Sequence, residues 1–322
     1  MTYLFALALL VAAELVYFRV ADRFNIIDRP NGRSSHTRVT IRGGGIVFLL
    51  GAWLNVVFHG LQYPWFLLGL TAIAGVSFID DIRSVSNPVR LVVQFAAMFL
   101  MFHDWGILTP RDWWGILPGL VFCVGIINAY NFMDGINGIT GGYSLAVLVP
   151  LMSINREVHF IDGDFLVVAI LSDMVFCFFN FREKARCFAG DVGSVAIAFI
   201  IVFAIGKLIL LTGDFTYIML LAVYGVDSVL TIVHRILLHE NLGEAHRKHA
   251  YQLMANELKL PHTGVSMIYT CVQLAISLGL IYLPVNHLLY GGIVLTVLCL
   301  AYVLFMKKYY HLHEEYLMSI KK

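Results

Sequence analysis

The sequence contains few charged residues for its 322 positions, and this scarcity excludes a water-soluble fold. Charged side chains make up 13% of the chain and hydrophobic side chains 59%, whereas soluble domains carry about 25% charged residues. A chain with this many apolar residues is also not expected to be disordered. The formal net charge of +1 provides no basic field, so nucleic acid is excluded as a partner. The composition predicts a polytopic membrane protein.

The sequence also lacks paired cysteines and the signals typical of a cleavable leader. Its five cysteines lie in or beside apolar stretches without a CxxC pair, so we expect small buried hydrophobes rather than disulfides or zinc ligands. Residues 4–13 are similar to a signal-peptide core, but no lysine or arginine precedes them and no A-x-A site follows. We therefore expect this segment to be the first membrane span.

A membrane-spanning helix requires about 20 mostly apolar residues, and the apolar runs predict eleven such helices. The predicted spans are 2–21, 43–59, 65–82, 88–103, 115–133, 138–154, 165–181, 194–212, 215–234, 264–283 and 287–306. The long polar connections are 22–42 and 235–263, and neither has the length of a soluble domain. The expected fold class is therefore an all-α polytopic membrane protein, with residues 1–322 forming one integral membrane domain.

The basic residues predict which side of the membrane each connection faces. Connections after odd-numbered spans, together with the C-terminal tail, contain 19 of the 22 lysines and arginines. The opposite connections contain Arg111 and Arg156. The positive-inside rule then predicts an N-terminus outside and a C-terminus in the cytoplasm. Trp65, Trp113 and Trp114 lie near the predicted outer boundary, as expected of an aromatic belt.

Carboxylates lie at the predicted cytoplasmic ends of several spans. Asp80 and Asp81 end the third span, Asp134 follows the fifth, and Asp191 precedes the eighth. The basic string His246–His249 lies on the same side. Each feature alone has a structural alternative: a helix cap, a turn, or a basic patch beside anionic lipid. Their convergence on one face of a chain with few charges predicts a functional site.

The residue types indicate phosphate chemistry. Carboxylate and amide oxygens suit Mg²⁺, which is commonly shared with substrate phosphates. The string from Gly190 to Ser194 begins a helix, and we expect its backbone N–H groups to face phosphate oxygens. Arginine, lysine and histidine side chains would complete an anion-binding site. A phosphoryl-transfer site at the membrane face predicts one water-soluble and one lipid substrate.

Five strings, in order from about residue 28 to 275, give the sequence a resemblance to a known family. They are DRPNGRSSHTR with RGGG in the first loop, the DD and RLVVQ run from Asp80 to Gln94, Asn128-x-x-Asn131-x-x-Asp134-Gly135, Phe188-x-Gly190-Asp191-x-Gly193-Ser194, and EAHRKHAYQ in the last long loop. The sequence resembles the polyprenyl-phosphate N-acetylhexosamine-1-phosphate transferases, the family that includes bacterial enzymes initiating O-antigen and related glycans.

The resemblance implies a reaction, partners and a location. A UDP-N-acetylhexosamine would donate its sugar 1-phosphate to undecaprenyl phosphate, releasing UMP, with Mg²⁺ as cofactor and Mn²⁺ as an alternative. The enzyme would lie in the bacterial cytoplasmic membrane with its active site facing the cytoplasm, and the family allows a homodimer. The EAHRKHAYQ string is similar to the branch that uses UDP-N-acetylamino sugars. The sequence does not identify the sugar.

The resemblance also implies a role for each matching residue. Asp191 would be the leading Mg²⁺ ligand, with Asn131 as a second candidate. The implied catalytic residues are Asp80, Asp81, Asp134 and His249. The implied substrate-binding residues are Asn131, Asn180, Phe188, His246, Arg247 and Lys248, of which Asn180 and Phe188 correspond to uridine contacts. Asn137 departs from the family, which commonly has an aspartate there, and the proline usual before the Gly190-Asp191 pair is missing.

Two other functions are alternatives to the transferase that the resemblance implies. A phospho-N-acetylmuramoyl-pentapeptide transferase, from the same superfamily, would carry consecutive histidines where this chain has His246-Arg-Lys-His249. An ion-coupled transporter would place its acids near the membrane midplane. Only Glu14, Asp173 and Asp227 lie that deep, and we expect them to pair with neighbours or to mark span ends. His311 and His313, beside two glutamates, are expected to form a solvated tail.

Overall fold

The computed structural model describes residues 2–30, 38–110, 113–244 and 246–320. The α-helices are α1 (Thr2–Phe24), α2 (Ile46–His59), α3 (Pro64–Ile82), α4 (Asn87–Trp105), α5 (Trp113–Met133), α6 (Ile139–Val158), α7 (Gly163–Asn180), α8 (Gly190–Thr212), α9 (Ala222–Leu237), α10 (Ala250–Gln252), α11 (His262–Tyr282) and α12 (His287–Ile320). A 3₁₀ helix, Phe215–Leu221, precedes α9, and a π-helical turn, Leu253–Glu257, follows α10. The strands β1 (Ile27–Asp28) and β2 (Thr40–Ile41) pair antiparallel.

The all-α polytopic fold class is confirmed, because each of the eleven predicted apolar segments falls on helix. Among the described residues, eight helical segments are long and apolar enough to cross a membrane, and Ile46–His59 is a shorter apolar helix. The helices α4 and α6 lie outside both groups. The count of eleven spans and their orientation therefore remain predictions. Arg111, residues 31–37 of the first-loop string, and Ala245 of the last loop lie outside the described residues.

Helix α8 forms the centre of the molecule. Its side chains from Val192 to Ile205 are almost all buried, as expected of a helix that is apolar on every face. It contacts α2, α3, α4, α5 and α6. The first turn of α8 therefore lies at the middle of one end of the bundle, where α3 and α5 finish.

Two glycines permit the close approach of α2 to the start of α8. A methyl group at Gly193 would lie 2.6 Å from the Cα of Gly45, and a methyl group at Gly45 would overlap the Cα of Gly193. The backbone N–H of Gly45 also donates to the carbonyl of Ala189 at 3.1 Å. This contact fixes the segment after β2, and Arg42 within it, against the start of α8.

The C-terminal segment differs from the predicted solvated tail. Helix α12 continues to Ile320, and His313 is only 1% exposed. Its Nδ1 lies 2.9 Å from Oε1 of Glu257, which ends the π-helical turn. The expectation for His313 was wrong because the sequence gives no signal that this turn packs beneath α12. His311 and the two glutamates are exposed, as expected.

The three deep acids pair with neighbours, as predicted. Cys187 Sγ donates to Glu14 at 3.7 Å, and Cys177 Sγ donates to Asp173 at 3.9 Å. Asp227 binds several side chains on other helices and is described with the site below.

Candidate active site

Arg90 brings together two of the predicted carboxylates. Its Nη1 lies 2.9 Å from Oδ2 of Asp80, at the end of α3, and its Nη2 lies 2.9 Å from Oδ2 of Asp191, at the start of α8. The second Asp80 oxygen accepts the backbone N–H of Val85 at 2.6 Å. The Asp80 and Asp191 side chains are 11% and 16% exposed, so both carboxylates can be reached from outside.

Asp81 performs a different task from its neighbour. Its carboxylate accepts the backbone N–H groups of Asp191 at 2.9 Å and Val192 at 3.0 Å. Arg42 Nε lies 2.7 Å from the same carboxylate, whose side chain is fully buried. A second Arg42 nitrogen lies 3.3 Å from Asp191. Asp81 therefore caps α8 from another helix, where the helix dipole favours a negative charge.

This cap corrects the expected phosphate contact at the start of α8. The N–H groups of Asp191 and Val192 donate to Asp81 and are not open to a ligand. Gly193 packs against Gly45, which closes the same turn from the other side. Asp81, for which the sequence predicts a catalytic role, lies where it holds Asp191 in place rather than where it reaches a substrate.

Asn131 and Asp134 lie at the end of α5. Asn131 Oδ1 accepts the hydroxyl of Ser194 on α8 at 2.7 Å. Thr140 donates to Asp134 at 2.6 Å. Burial, reinforced by the charge of Asp81, raises the pKa of Asp134 to about 6 although the Thr140 hydrogen bond opposes this shift. Asp134 therefore changes charge at a higher pH than an ordinary aspartate.

A cleft of about 710 Å³ joins this cluster to the last long loop. Its walls include Arg90, Asn131, His246 and His249. The two histidine rings lie 5.1 Å apart. Burial and the neighbouring charges of His249, Arg235 and Lys248 lower the pKa of His246 to about 3. His246 is therefore a neutral imidazole at physiological pH.

Arg247 and Lys248, predicted to bind substrate, do not line this cleft. Arg247 lies 3.1 Å from Glu257, with its guanidinium 4.5 Å from the centre of the Tyr316 ring. The ammonium of Lys248 pairs with Glu240, and its side chain is 8% exposed. The loop separates the four residues: the outer two, both histidines, line the cleft, whereas the middle two, both basic, anchor the loop to the protein.

Asn180 and Phe188 do not line the main cleft. Asn180 is buried; it donates to the carbonyl of Cys187 at 2.8 Å and accepts the N–H of Gly138 at 2.7 Å. Its amide is therefore held by two backbone groups, and the expected uridine contact remains a prediction. Phe188 lines a second cleft of about 640 Å³. Asn137 lines it as well and donates to the carbonyls of Arg182 and Glu183.

The sequence reasoning missed three residues that organise the site: Arg42, Arg90 and Asp227. The two arginines contributed to the predicted orientation only as counted charges, although both lie within the matching strings. Asp227 was expected to pair with neighbours, and one of them is His249 (3.3 Å). A signal for Arg90 existed, since a basic residue ten positions after an acid at a helix end can return to it across a short loop.

The donor atoms fit a metal site that substrate completes, rather than one formed by protein side chains alone. Among the described residues, no group of three or more histidines, cysteines or acids is arranged to hold a metal ion. Asp80 and Asp191 nevertheless converge on one guanidinium, and both are partly exposed. Mg²⁺ is commonly held by one or two carboxylates with substrate phosphates completing its shell. Asp80 and Asp191 meet that requirement, whereas Asn131 is engaged with Ser194.

Comparison with known proteins finds a family model that matches the central part of the chain. The family described as Glycosyl transferase family 4 matches residues 63–209. This segment runs from α3 into α8 and contains Asp80, Arg90, Asp134 and Asp191. The matched segment therefore covers the centre of the candidate site.

Individual relatives agree with that match. The Bacillus subtilis (strain 168) protein named "Probable undecaprenyl-phosphate N-acetylglucosaminyl 1-phosphate transferase" is 26% identical over 259 residues, covering 74% of this chain and 72% of that protein. The Mycobacterium leprae (strain TN) "Decaprenyl-phosphate N-acetylglucosaminephosphotransferase" is 28% identical over 236 residues, covering 60% of this chain and 58% of that protein. A Dictyoglomus turgidum "Phospho-N-acetylmuramoyl-pentapeptide-transferase" is 27% identical over 216 residues, covering 60% and 68%.

These matches confirm the resemblance identified from the sequence. Over this central segment the chain is similar to the polyprenyl-phosphate N-acetylhexosamine-1-phosphate transferases.

Proposed function

We propose that this protein transfers N-acetylglucosamine 1-phosphate, or a closely related N-acetylhexosamine 1-phosphate, from a UDP-sugar to undecaprenyl phosphate. The names of the relatives support this reaction, since those of Bacillus subtilis, Yersinia pestis and Thermotoga maritima are named as undecaprenyl-phosphate N-acetylglucosaminyl 1-phosphate transferases. The products are UMP and a lipid diphosphate-linked sugar, the first membrane intermediate of a cell-envelope glycan.

The shape of the main cleft is the observation that carries the proposal. At one end it contains Arg90, which binds two carboxylates. Its rim includes Leu91, Phe132 and Ile232, from α4, α5 and α9, which are 45%, 48% and 38% exposed. A charged site continuous with an exposed apolar rim suits a substrate that has a phosphate head and a hydrocarbon tail.

The reaction requires two anions to approach each other. An oxygen of the lipid phosphate attacks the donor phosphorus that carries the sugar, forming a new P–O–P linkage. The bond from that phosphorus to the oxygen shared with the uridine phosphate breaks, and its electrons leave with UMP. Arg90 lowers the repulsion between these anions, which is the main task in phosphoryl transfer. The lipid phosphate has a second pKa of about 6, so it is largely ionised at neutral pH and needs no strong base to activate it.

We propose Mg²⁺ as the cofactor, held by Asp191 and Asp80 together with the donor diphosphate. When bound, the ion would neutralise charge on the transferred phosphoryl group. Arg90 holds the two carboxylates in register, and Asp81 holds the backbone of Asp191. Asp134, three residues beyond Asn131, contributes a carboxylate whose charge depends on pH.

We propose further that the site faces the cytoplasm of a bacterial inner membrane. The 19 basic residues predicted on one side support this orientation. A phosphatase fused after Lys322 should be inactive in the periplasm, and a fluorescent protein fused there should fluoresce in the cytoplasm. An active periplasmic phosphatase would reverse the orientation and reject the cytoplasmic site.

Purified protein tested against a panel of UDP-sugars tests the function itself. We expect UMP release that requires both undecaprenyl phosphate and a UDP-N-acetylhexosamine. UDP-N-acetylmuramoyl-pentapeptide is the informative competitor, because one of the relatives carries that activity in its name. Turnover with the pentapeptide donor alone would assign the protein to the peptidoglycan branch. Uptake of a solute into reconstituted vesicles without UMP release would indicate a transporter.

A further inference from the structure

Asp227, on α9, lies in a fully enclosed set of hydrogen-bond donors. Its Oδ1 is 3.1 Å from the N–H of Ala250, 3.2 Å from the hydroxyl of Thr231 and 3.3 Å from Nδ1 of His249. Its Oδ2 accepts the hydroxyl of Tyr269 at 2.6 Å. The Asp227 and His249 side chains are each 3% exposed. Burial of an acid costs free energy unless it is paired, so we expect these contacts to have a specific role.

The identity of these partners determines where the His249 ring carries its proton. Ala250 N–H can only donate, and an ionised carboxylate can only accept. Because Oδ1 accepts from the other groups around it, its contact with His249 is satisfied when Nδ1 carries a hydrogen. In the neutral ring, Nε2 is then the nitrogen without a proton. Among the described residues, no group lies within hydrogen-bonding distance of this buried Nε2, and His249 lines the main cleft.

Three helices hold this pair in place. Tyr269 belongs to α11, and Thr231 on α9 lies 2.9 Å from the hydroxyl of Tyr302 on α12. His249 precedes α10, and its backbone N–H donates to the Gln252 side chain at 3.2 Å. The ring therefore has little freedom to turn, as expected for a group arranged before substrate binds.

We infer that Asp227 is the positioning residue for His249, an inference that rests on the function proposed above. Asp227 holds the ring with Nδ1 protonated, which leaves Nε2 as the nitrogen available to a substrate in the cleft that His249 lines. When Nε2 also carries a proton, it donates a hydrogen bond to a substrate phosphate oxygen, and the Asp227 carboxylate balances the charge of the imidazolium. The sequence places these residues 22 positions apart, in strings that are not adjacent.

A double-mutant cycle separates positioning from a general structural role. We expect Asp227→Asn to lower kcat by about 10²-fold, within the range for groups that act on protons in a transition state. In a His249→Gln background, Asp227→Asn should change kcat by no more than about twofold, because the ring through which it acts is gone. If the two losses multiply, Asp227 acts independently of His249 and the inference is wrong.

Asp173→Asn provides a matched control, because Asp173 is an equally buried acid on α7 that contacts Cys177. We expect kcat of Asp173→Asn to stay within about twofold of the wild-type value in either background. A 10²-fold loss in this control would show that any buried acid has the same effect, and would overturn the specific role of Asp227. Each variant is compared by its elution volume and its thermal unfolding midpoint before its kinetics are measured.

Nitrogen NMR of the histidine-labelled protein tests the pair without any substrate. The His249 resonances are assigned by their loss in His249→Gln. We expect the wild-type protein to show a proton on Nδ1, with a shift that changes in Asp227→Asn and not in Asp173→Asn. A His249 ring protonated on Nε2 alone would overturn the inference. If no UDP-sugar supports turnover, the proposed function fails, while this spectrum still decides the relation between the two residues.

Discussion

The carboxylate of Asp81 accepts the backbone N–H of Asp191 at 2.9 Å, so the end of α3 is joined directly to the start of α8. Asp80, the preceding residue, turns to Arg90 and through it to the side chain of Asp191. Successive residues of an α-helix point about 100° apart. Two adjacent acids can therefore serve one site in different ways. Asp81 holds the backbone of Asp191, whereas Asp80 and the Asp191 side chain bind the same arginine, Arg90.

The different contacts of Asp80 and Asp81 predict different effects of the same substitution at the two positions. Asp81→Asn should lower the free energy of unfolding by about 1–3 kcal/mol, since it removes the charged acceptor from the N–H groups of Asp191 and Val192 and from Arg42 Nε. Asp80→Asn should unfold near the wild-type temperature but lower kcat by about 10²-fold, as expected for an electrostatic contact to reacting groups. Thermal unfolding in detergent and steady-state kinetics measure both. An Asp81→Asn protein of normal stability would contradict the cap.

The Asp134 carboxyl predicts a pH-dependent contribution to stability. Burial raises its pKa to about 6 in the folded protein, above the value of about 3.9 in an unfolded chain. Between these values the folded state holds more protons than the unfolded state, so stability falls as pH rises from about 4 to about 6 and then levels off. Asp134→Asn should lack this decline. Identical slopes for the two proteins over this range would contradict the shift.

The last loop predicts separable effects of neighbouring side chains. His246 lines the cleft, so His246→Ala should raise the apparent KM for the UDP-sugar. Arg247 binds Glu257 and contacts the Tyr316 ring, so Arg247→Ala should lower the unfolding midpoint and leave the donor KM within about twofold, the usual scatter for independent sites. If Arg247→Ala raises KM as much as His246→Ala, the guanidinium reaches the substrate.

The contact of Gly45 with Gly193 predicts intolerance of a single methyl group. Gly45→Ala would drive a Cβ into the α8 backbone, so we expect low yield or a sharply reduced unfolding midpoint, together with lost activity. Gly75→Ala, within α3, is the matched control because no atom lies within 4 Å of its added Cβ. Alanine there should be neutral or stabilising by up to about 1 kcal/mol. Equal behaviour of the two variants would contradict the close packing.

The fold was predictable because the length of an apolar run is enough to identify a membrane-spanning helix. Every predicted span coincides with helix, and Asp80, Asp134 and Asp191 were identified at helix ends that converge. The partners were not predictable, because Arg42 and Arg90 reach these acids across loops whose paths the sequence leaves open. His313 and Arg247 were assigned to solvent and to substrate. Both instead bind Glu257, which a π-helical turn without a sequence signal places beneath α12.

Release of UMP by wild-type protein and by Asp191→Asn, measured with undecaprenyl phosphate and saturating UDP-N-acetylglucosamine across a Mg²⁺ titration, tests the central claim most directly. We expect wild-type turnover to require Mg²⁺ and to be abolished by chelation. Asp191→Asn, which keeps the size of the side chain and removes its charge, should be slower by about 10²-fold or more, in line with the several kcal/mol that a metal ion supplies. Turnover that resists chelation, or an Asp191→Asn protein of near-normal rate, would contradict a transfer site built on Asp80, Arg90 and Asp191.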